Sequence, residues 1–238
     1  MNDFEKVSVI MPVFNERGTI AAVIDKVTSL SPKEIIVVDD YSTDGTREIL
    51  KQLKIKNAPE GSPLGEKLKI IYHEKNCGKG AAIRTALKYV TGDIVTIQDA
   101  DLEYNPEEIR NLIVPIIEGK SQVVYGSRFL QLKEKSFVHH YLGNKLLNFL
   151  TNFIYGANIT DMETCYKVFR SDIILSLNLK ANRFEFEPEV TAKILKRKIP
   201  IRELPISYKS RTYKEGKKIG WRDGVTALVT LIKYRFIP

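Results

Sequence analysis

Three carboxylates at alternate positions, Asp99, Asp101 and Glu103, end the stretch DIVTIQDADLE at residues 93–103. The β-branched run before them reads as a buried strand, and acids crowded at its mouth repel one another and lose water. A bound cation relieves that cost. Hard oxygen donors with no nearby Cys or His cluster favour Mg²⁺ or Mn²⁺, which bind through one or two carboxylates together with substrate phosphates. A plainer reading stays open, a solvated acidic turn before a helix. Asn105-Pro106-Glu107-Glu108 has the N-cap residue, the proline and the first-turn acids of a helix start.

The elements that must position these acids alternate. Residues 7–14 (VSVIMPVF), 34–40 (EIIVVDD), 68–73, the stretch from 93 and 122–125 read as strands. Residues 19–30, a segment from 46 to about 53, 80–90 and 106–118 carry helical patterns. That alternation predicts an α/β fold, a mostly parallel sheet with helices on both faces. In such sheets ligands sit beyond the carboxyl ends of the strands. Those ends carry residues 12–16, Asp39 and Asp40, the NCGKG run at 76–80, residues 99–103 and Gly126-Ser127-Arg128, so every polar cluster falls on one rim. Two common nucleotide sites are absent. The first strand leads into Asn15-Glu16-Arg17-Gly18 rather than G-x-G-x-x-G, and Gly78-Lys79-Gly80 lacks the spacing of a phosphate-binding P-loop.

With 238 residues, 43% hydrophobic and 28% charged, the chain can bury one sizeable core, and residues 1–238 are read as one domain. A net charge of +8 predicts anionic company: nucleic acid, anionic lipid or phosphorylated small molecules. Nucleic acid is disfavoured, because no recognised nucleic-acid fold or stacking motif accompanies the charge. Cys77 and Cys165 make no disulfide framework and no tetrahedral zinc set. No basic-then-apolar leader opens the sequence, and no apolar run approaches the roughly 20 residues that span a bilayer, so a cytoplasmic location is expected.

The ordered set FNE at 14–16, DDYSTDGT at 39–46, NCGKGAA at 76–82, DADLEYNPEE at 99–108 and GSR at 126–128 resembles the inverting family 2 glycosyltransferases of GT-A fold. The dolichyl- and polyprenyl-phosphate mannose and glucose synthase branch is the most similar, over residues 7 to about 235. The resemblance implies a metal-dependent hexosyltransferase. Mannose or glucose would pass from GDP-mannose or UDP-glucose to dolichyl or polyprenyl phosphate, with inversion. Residues 7–130 would form the nucleotide-sugar half, and 131–238 the acceptor and membrane-proximal half.

Carried over by position, Pro12, Phe14, Glu16, Val38, Asp40, Lys79, Asp99 and Ala100 would bind the nucleotide sugar, with Asp40 as hydrogen-bond acceptor. Asp101 and Glu103 would ligate Mg²⁺ or Mn²⁺. Arg128, Arg211 and Lys217 would neutralise the departing diphosphate and, with Asp101, form the catalytic set. Asp161 would organise the sugar pocket, because a phosphate acceptor is already ionised and needs no base. Read without the resemblance, Asp39 and Asp40 serve equally as helix caps, Arg84 as a solvated surface cation, and residues 183–189 as an acidic helix start, whereas the resemblance implies that residues 183–189 line the sugar and acceptor pocket. Two departures stand out: Glu103, where many such synthases have Gln, and Tyr41, where Gly is common.

At residues 139–156 the alternation stops. Leu146, Leu147, Phe149, Leu150, Phe153 and Ile154 share one helical face, with Asn144, Lys145, Asn148, Thr151 and Asn152 on the other. Such a helix either packs on the sheet or lies in the plane of a membrane. The resemblance favours the second, and with it peripheral attachment to a cytoplasmic membrane face. A strand at 201–209 leads into the cations Lys209, Arg211, Lys214, Lys217, Lys218 and Arg222, where Gly216 and Gly220 suit a closing loop. The final helix, about 223–236, is too short to cross a bilayer. Two alternatives remain open. One is a transferase using a saccharide hydroxyl, with Asp161 as base; the other is a silent nucleotide-sugar or anionic-lipid binding module.

Overall fold

The computed structural model describes residues 3–56, 65–131, 138–211 and 221–237. Seven strands, β1 (Val7–Val13), β2 (Glu34–Asp39), β3 (Leu68–Tyr72), β4 (Ile94–Ile97), β5 (Val123–Ser127), β6 (Lys167–Arg170) and β7 (Ile201–Pro205), form one sheet in the order β3-β2-β1-β4-β6-β5-β7. Every residue of β1 and β2 is buried, the signature of a parallel sheet covered on both faces. Helix α1 (Ile20–Ser29) buries Ile20, Val23, Ile24 and Val27, one face at helical spacing. Each such side chain contributes about 1.5–3 kcal/mol of burial. The remaining helices are α2 (Thr46–Lys56), α3 (Lys79–Leu87), α4 (Ile109–Ile117), α5 (Val138–Tyr155), α6 (Ser171–Ser176), α7 (Phe186–Lys196) and α8 (Trp221–Phe236).

The expected α/β architecture is present, with one strand that the sequence did not announce. β6 runs antiparallel between β4 and β5, pairing Val95 with Phe169 and Val124 with Val168. Its first residue, Lys167, is fully buried, which hides it from a reading by hydropathy. The ammonium is accommodated because Nζ donates to the carbonyls of Met162 (2.9 Å) and Thr164 and lies 4.7 Å from the centre of the Tyr125 ring.

Several boundaries shift. β4 ends at Ile97 and β7 at Pro205, so the acidic cluster, and Lys209 and Arg211 of the basic one, lie beyond shorter strands than the pattern predicted. The helix expected from 106 opens as a 3₁₀ turn, Pro106–Glu108, in which the Asn105 side chain accepts from the Glu107 N–H (3.3 Å). The helix-start reading of 105–108 therefore holds, without making residues 99–103 part of it.

Of the two orientations open for α5, the structure has the one with part of the polar face inward: Asn148 is 4% exposed, donates to the Thr160 carbonyl and accepts from the Met162 N–H (2.8 Å), while Asn152 pairs in both directions with the backbone of Ile159. Leu147, Ile154 and Tyr155 join a second apolar cluster with Met162, Leu231 and Tyr234, which ties α5 to α8. Leu142, Leu146, Phe149 and Phe153 point outward, at 63% exposure for Phe149 and 79% for Phe153.

Candidate active site

The carboxyl ends of β1, β2, β4, β5 and β7 converge on a cavity of about 360 Å³. Pro12, Phe14 and Glu16 enter it after β1, Asp40 after β2, Lys79 from the start of α3, Asp99, Ala100, Asp101 and Glu103 after β4, Arg128 after β5 and Arg211 after β7. Two expected residues that the structure describes are not in its wall, and a third lies outside the described residues. Val38 is fully buried in the core of the sheet. Asp161, also fully buried, lies behind Arg128. Lys217, with Lys214 and Lys218, lies outside the described residues.

The acidic corner is a loop beyond the end of β4. Leu102 takes a left-handed conformation (φ 59°), which costs an ordinary side chain roughly 1–2 kcal/mol. The Glu103 N–H then donates to Asp101 Oδ1 (3.1 Å). Burial pushes the Asp101 carboxyl up to about 7, and the neighbouring charges of Asp99 and Glu103 add to the effect, with Arg211 opposing it. The corner thus holds more negative charge than the chain's own cations relieve. Its donors are all hard oxygens, so Asp101 and Glu103 fit Mg²⁺ or Mn²⁺.

Arg211 closes this corner from the far end of the chain. Its guanidinium forks onto Glu16 (3.0 and 3.1 Å) and reaches Asp101 Oδ2 (3.0 Å), while its backbone N–H donates to Glu103 Oε1 (2.8 Å). The Tyr208 hydroxyl donates to the other Glu103 oxygen (2.8 Å). Arg128 makes a bidentate pair with Asp161, 2.8 Å at both contacts, and its guanidinium lies 5.0 Å from the centre of the Tyr208 ring. Asp161 is therefore a positioning residue for Arg128. Its two oxygens are held by that side chain and by the Arg128 N–H (2.9 Å).

On the opposite wall Asp40 accepts from the Cys77 N–H (2.8 Å) and His73 Nδ1 (2.7 Å) at Oδ1, and from the Gly78 N–H (2.7 Å) at Oδ2. That leaves Oδ2 one lone pair for a ligand. The same bonds gather Asp40, His73 and Cys77 until their ligand atoms lie within 4.8 Å, a mixed N/S/O set that the cysteine spacing gave no sign of. Gly78 is required here: its φ is +96°, and a Cβ would strike the Asn182 carbonyl and the Arg183 side chain.

Lys79 is no surface cation. It is bound to Asp99 (3.0 Å) and Glu187 (2.9 Å), whose charges hold its pKa well above the ordinary value although burial opposes them. Arg84, by contrast, leaves the rim and donates to the Lys180 carbonyl (3.0 Å) and Asn182 (2.8 Å). Tyr41 is absent from the cavity wall; it is left-handed (φ 68°) and 43% exposed, with the Arg47 guanidinium 5.3 Å from its ring. Sequence reasoning missed Tyr104, Tyr208 and Glu163 as cavity residues, while Arg183, Phe184 and Glu187 come from the 183–189 segment that the resemblance implied would line the pocket. Tyr104 lies inside the DADLEYNPEE motif, whereas Glu163 carried no signal of its own.

Residues 8–177 match the family described as Glycosyl transferase family 2. The chain belongs to that family. This family 2 glycosyltransferase is similar to the UDP-N-acetylglucosamine–dolichyl-phosphate N-acetylglucosaminyltransferase of Methanococcus voltae, 34% identical over 83% of this chain and 83% of that protein. It is 29% identical to the undecaprenyl-phosphate 4-deoxy-4-formamido-L-arabinose transferase of Aeromonas hydrophila over 90% of this chain, and spans 63% of that longer protein. Among solved structures, the glucosyl-3-phosphoglycerate synthase of Mycobacterium tuberculosis in complex with Mn²⁺, UDP and glucosyl-3-phosphoglycerate superposes with a TM-score of 0.70 at 21% identity, covering 98% of this chain and 81% of that one. That likeness shows the shared fold.

Proposed function

We propose that this glycosyltransferase moves a hexose or N-acetylhexosamine from a nucleoside diphosphate to a dolichyl or polyprenyl phosphate, inverting the anomeric carbon. The observation that carries the reading is a juxtaposition. One cavity gathers an acidic corner and the guanidinium groups of Arg128 and Arg211, and it adjoins a flank whose large apolar side chains face outward. Phe129 links the two, with its ring 5.8 Å from the Arg128 guanidinium and 4.8 Å from Lys145 of α5. Relatives named for dolichyl and undecaprenyl phosphate support the acceptor class. The N-acetylglucosamine in one name widens the donor beyond mannose and glucose.

In this reading an acceptor phosphate oxygen bonds to the anomeric carbon as the bond to the diphosphate breaks, and the diphosphate leaves with the electron pair. No proton has to be removed, because a phosphate monoester is ionised near neutral pH. Asp161, committed to Arg128, is unsuited to act as a base, which favours this acceptor over a saccharide hydroxyl. Arg128 and Arg211 neutralise charge on the leaving group. A divalent ion held by Asp101 and Glu103 supplies Lewis-acid neutralisation of the same charge when bound.

None of the described helices is long and apolar enough to cross a membrane. Helices α5 and α8 instead lie against a bilayer surface, on the cytoplasmic side in this reading, with Phe149, Phe153, Val229 and Phe236 exposed toward it.

The test is incubation with labelled UDP-N-acetylglucosamine, UDP-glucose or GDP-mannose and a short polyprenyl phosphate, with parallel saccharide acceptors. Labelled lipid with one of the donors is expected. Product on saccharides alone, or nucleotide-sugar binding without turnover, overturns the reading.

A further inference from the structure

Away from the acidic corner, one cluster joins three kinds of metal ligand. Asp40 lies just past β2, His73 just past β3 and Cys77 in the turn before α3. A carboxylate oxygen, an imidazole nitrogen and the thiol sulfur of these residues all lie within 4.8 Å of one another, with Asp40 buried and the other two half-buried. The transfer chemistry above uses neither His73 nor Cys77.

The surroundings suit a bound ion. His73 Nδ1 faces Asp40 Oδ1 at 2.7 Å with one proton between them, and a metal binds at such a place by displacing the proton. His73 Nε2 meets Thr85 Oγ1 at 2.9 Å, an oxygen placed to receive the ring's other proton and hold its orientation, as the outer partners of ligating histidines do. The Cys77 N–H donates to the same Oδ1 (2.8 Å), which keeps the cysteine beside the carboxylate. There is also a route in. Asp40 lines the active cavity, whereas His73 and Cys77, with Thr85, line a second cavity of about 450 Å³ between α3 and α6, so the cluster stands between the two. Carboxylate and thiolate together neutralise a divalent ion. The sulfur and the imidazole select Zn²⁺ over the Mg²⁺ and Mn²⁺ that oxygen donors favour, and three protein ligands leave the fourth tetrahedral position to water.

We propose that Asp40, His73 and Cys77 form a Zn²⁺ site, separate from the Asp101 and Glu103 corner, through which zinc weakens binding of the nucleotide sugar. Zinc on Oδ1 draws electron density from the carboxylate whose Oδ2 keeps a lone pair for the ligand, so the two occupants oppose each other through one side chain. The zinc site stands on its own residues; its effect on the donor rests on the reading of Asp40 as a nucleoside contact.

The test is Co²⁺ and Zn²⁺ binding to the full chain, with saturating Mg²⁺ present to fill the all-oxygen corner. Co²⁺ is expected to give the near-ultraviolet thiolate-to-metal band, and Zn²⁺ to displace it. Cys77→Ser is expected to abolish the band, Cys165→Ser to keep it, and Cys77→Ser and His73→Gln each to weaken Zn²⁺ at least tenfold, the least that losing even an outer partner of a ligand costs. Thermal melting without zinc reports the folding of each variant. Calorimetry with UDP-N-acetylglucosamine, UDP-glucose and GDP-mannose is expected to show the preferred donor binding at least fivefold more weakly to the zinc-loaded chain, a difference that Cys77→Ser removes. Absence of the thiolate band, its survival in Cys77→Ser, or unchanged Zn²⁺ affinity in a folded variant overturns the site. Equal donor affinity with and without zinc overturns the antagonism. A chain that takes up zinc as expected but binds no nucleotide sugar upholds the site and overturns the parent reading of Asp40, and the antagonism with it.

Discussion

Arg211 sits where three carboxylates meet, and the acidic corner depends on it. The side chain forks onto Glu16 and reaches Asp101, so its removal leaves those acids without their strongest internal partner. Arg211→Ala is expected to lower turnover by about 10²–10³, the scale of removing one preorganised charge-stabilising group, in an initial-rate assay. Glu163 gives a prediction in pH. Its folded pKa, raised from an ordinary 4.5 to about 7, means the folded state holds the proton more tightly than the unfolded chain. Ionising it therefore costs stability progressively from pH 4.5 to 7, and fully above that window. Glu163→Gln, which cannot ionise, is expected to gain stability over the parent on the order of 2 kcal/mol more at pH 8 than at pH 4, by urea denaturation. An equal difference at both values would contradict the shift. At this scale the motif residues on strand ends were legible, because a side chain just past a parallel strand has nowhere to go but the rim. Glu163 was not, since its meaning comes from the Asp161 and Glu187 neighbourhood that only the folded chain assembles.

Among the elements, α5 and α8 carry the sharpest consequence. Ordinary amphipathic packing puts apolar residues inward, yet α5 spends Asn148, Thr151 and Asn152 on the interior and presents Phe149 and Phe153 as a stacked outward pair, centroids 6.4 Å apart. A Phe149→Ser/Phe153→Ser double variant is expected to keep its folding stability to within about 1 kcal/mol, since neither ring is in the core. Sedimentation with anionic vesicles is expected to fall at least tenfold, each lost aromatic contributing more than 1 kcal/mol at an apolar boundary. Unchanged vesicle binding would remove the membrane role. Tyr41 offers a local test: Tyr41→Gly removes a left-handed side chain and is expected to change thermal stability by no more than about 1 kcal/mol, strain relief offsetting the lost Arg47 contact. Strands β1 to β5 were readable from their apolar runs alone. β6 was not, because a four-residue strand that begins with a buried lysine has no period to read.

The whole molecule brings to one rim segments far apart in sequence, and the Glu16–Arg211 pair spans 195 positions. A net charge of +8 surrounds a cavity whose own walls are acid-rich, an arrangement suited to drawing anions in and then requiring a cation to hold them. The family and the α/β layout were visible from motif order. The direction in which α5 faces, the place of Asp161 behind Arg128 and the cavity position of Glu163 needed three dimensions. The most direct test of the central claim is the initial rate of sugar transfer to a short polyprenyl phosphate in chelator, followed by return of Mg²⁺ or Mn²⁺, for the unaltered chain and for Asp101→Ala. The rate of the unaltered chain should vanish in chelator and recover with the ion, while Asp101→Ala stays at least about a hundredfold slower throughout; full turnover in chelator, or a normal rate in Asp101→Ala, would contradict the account.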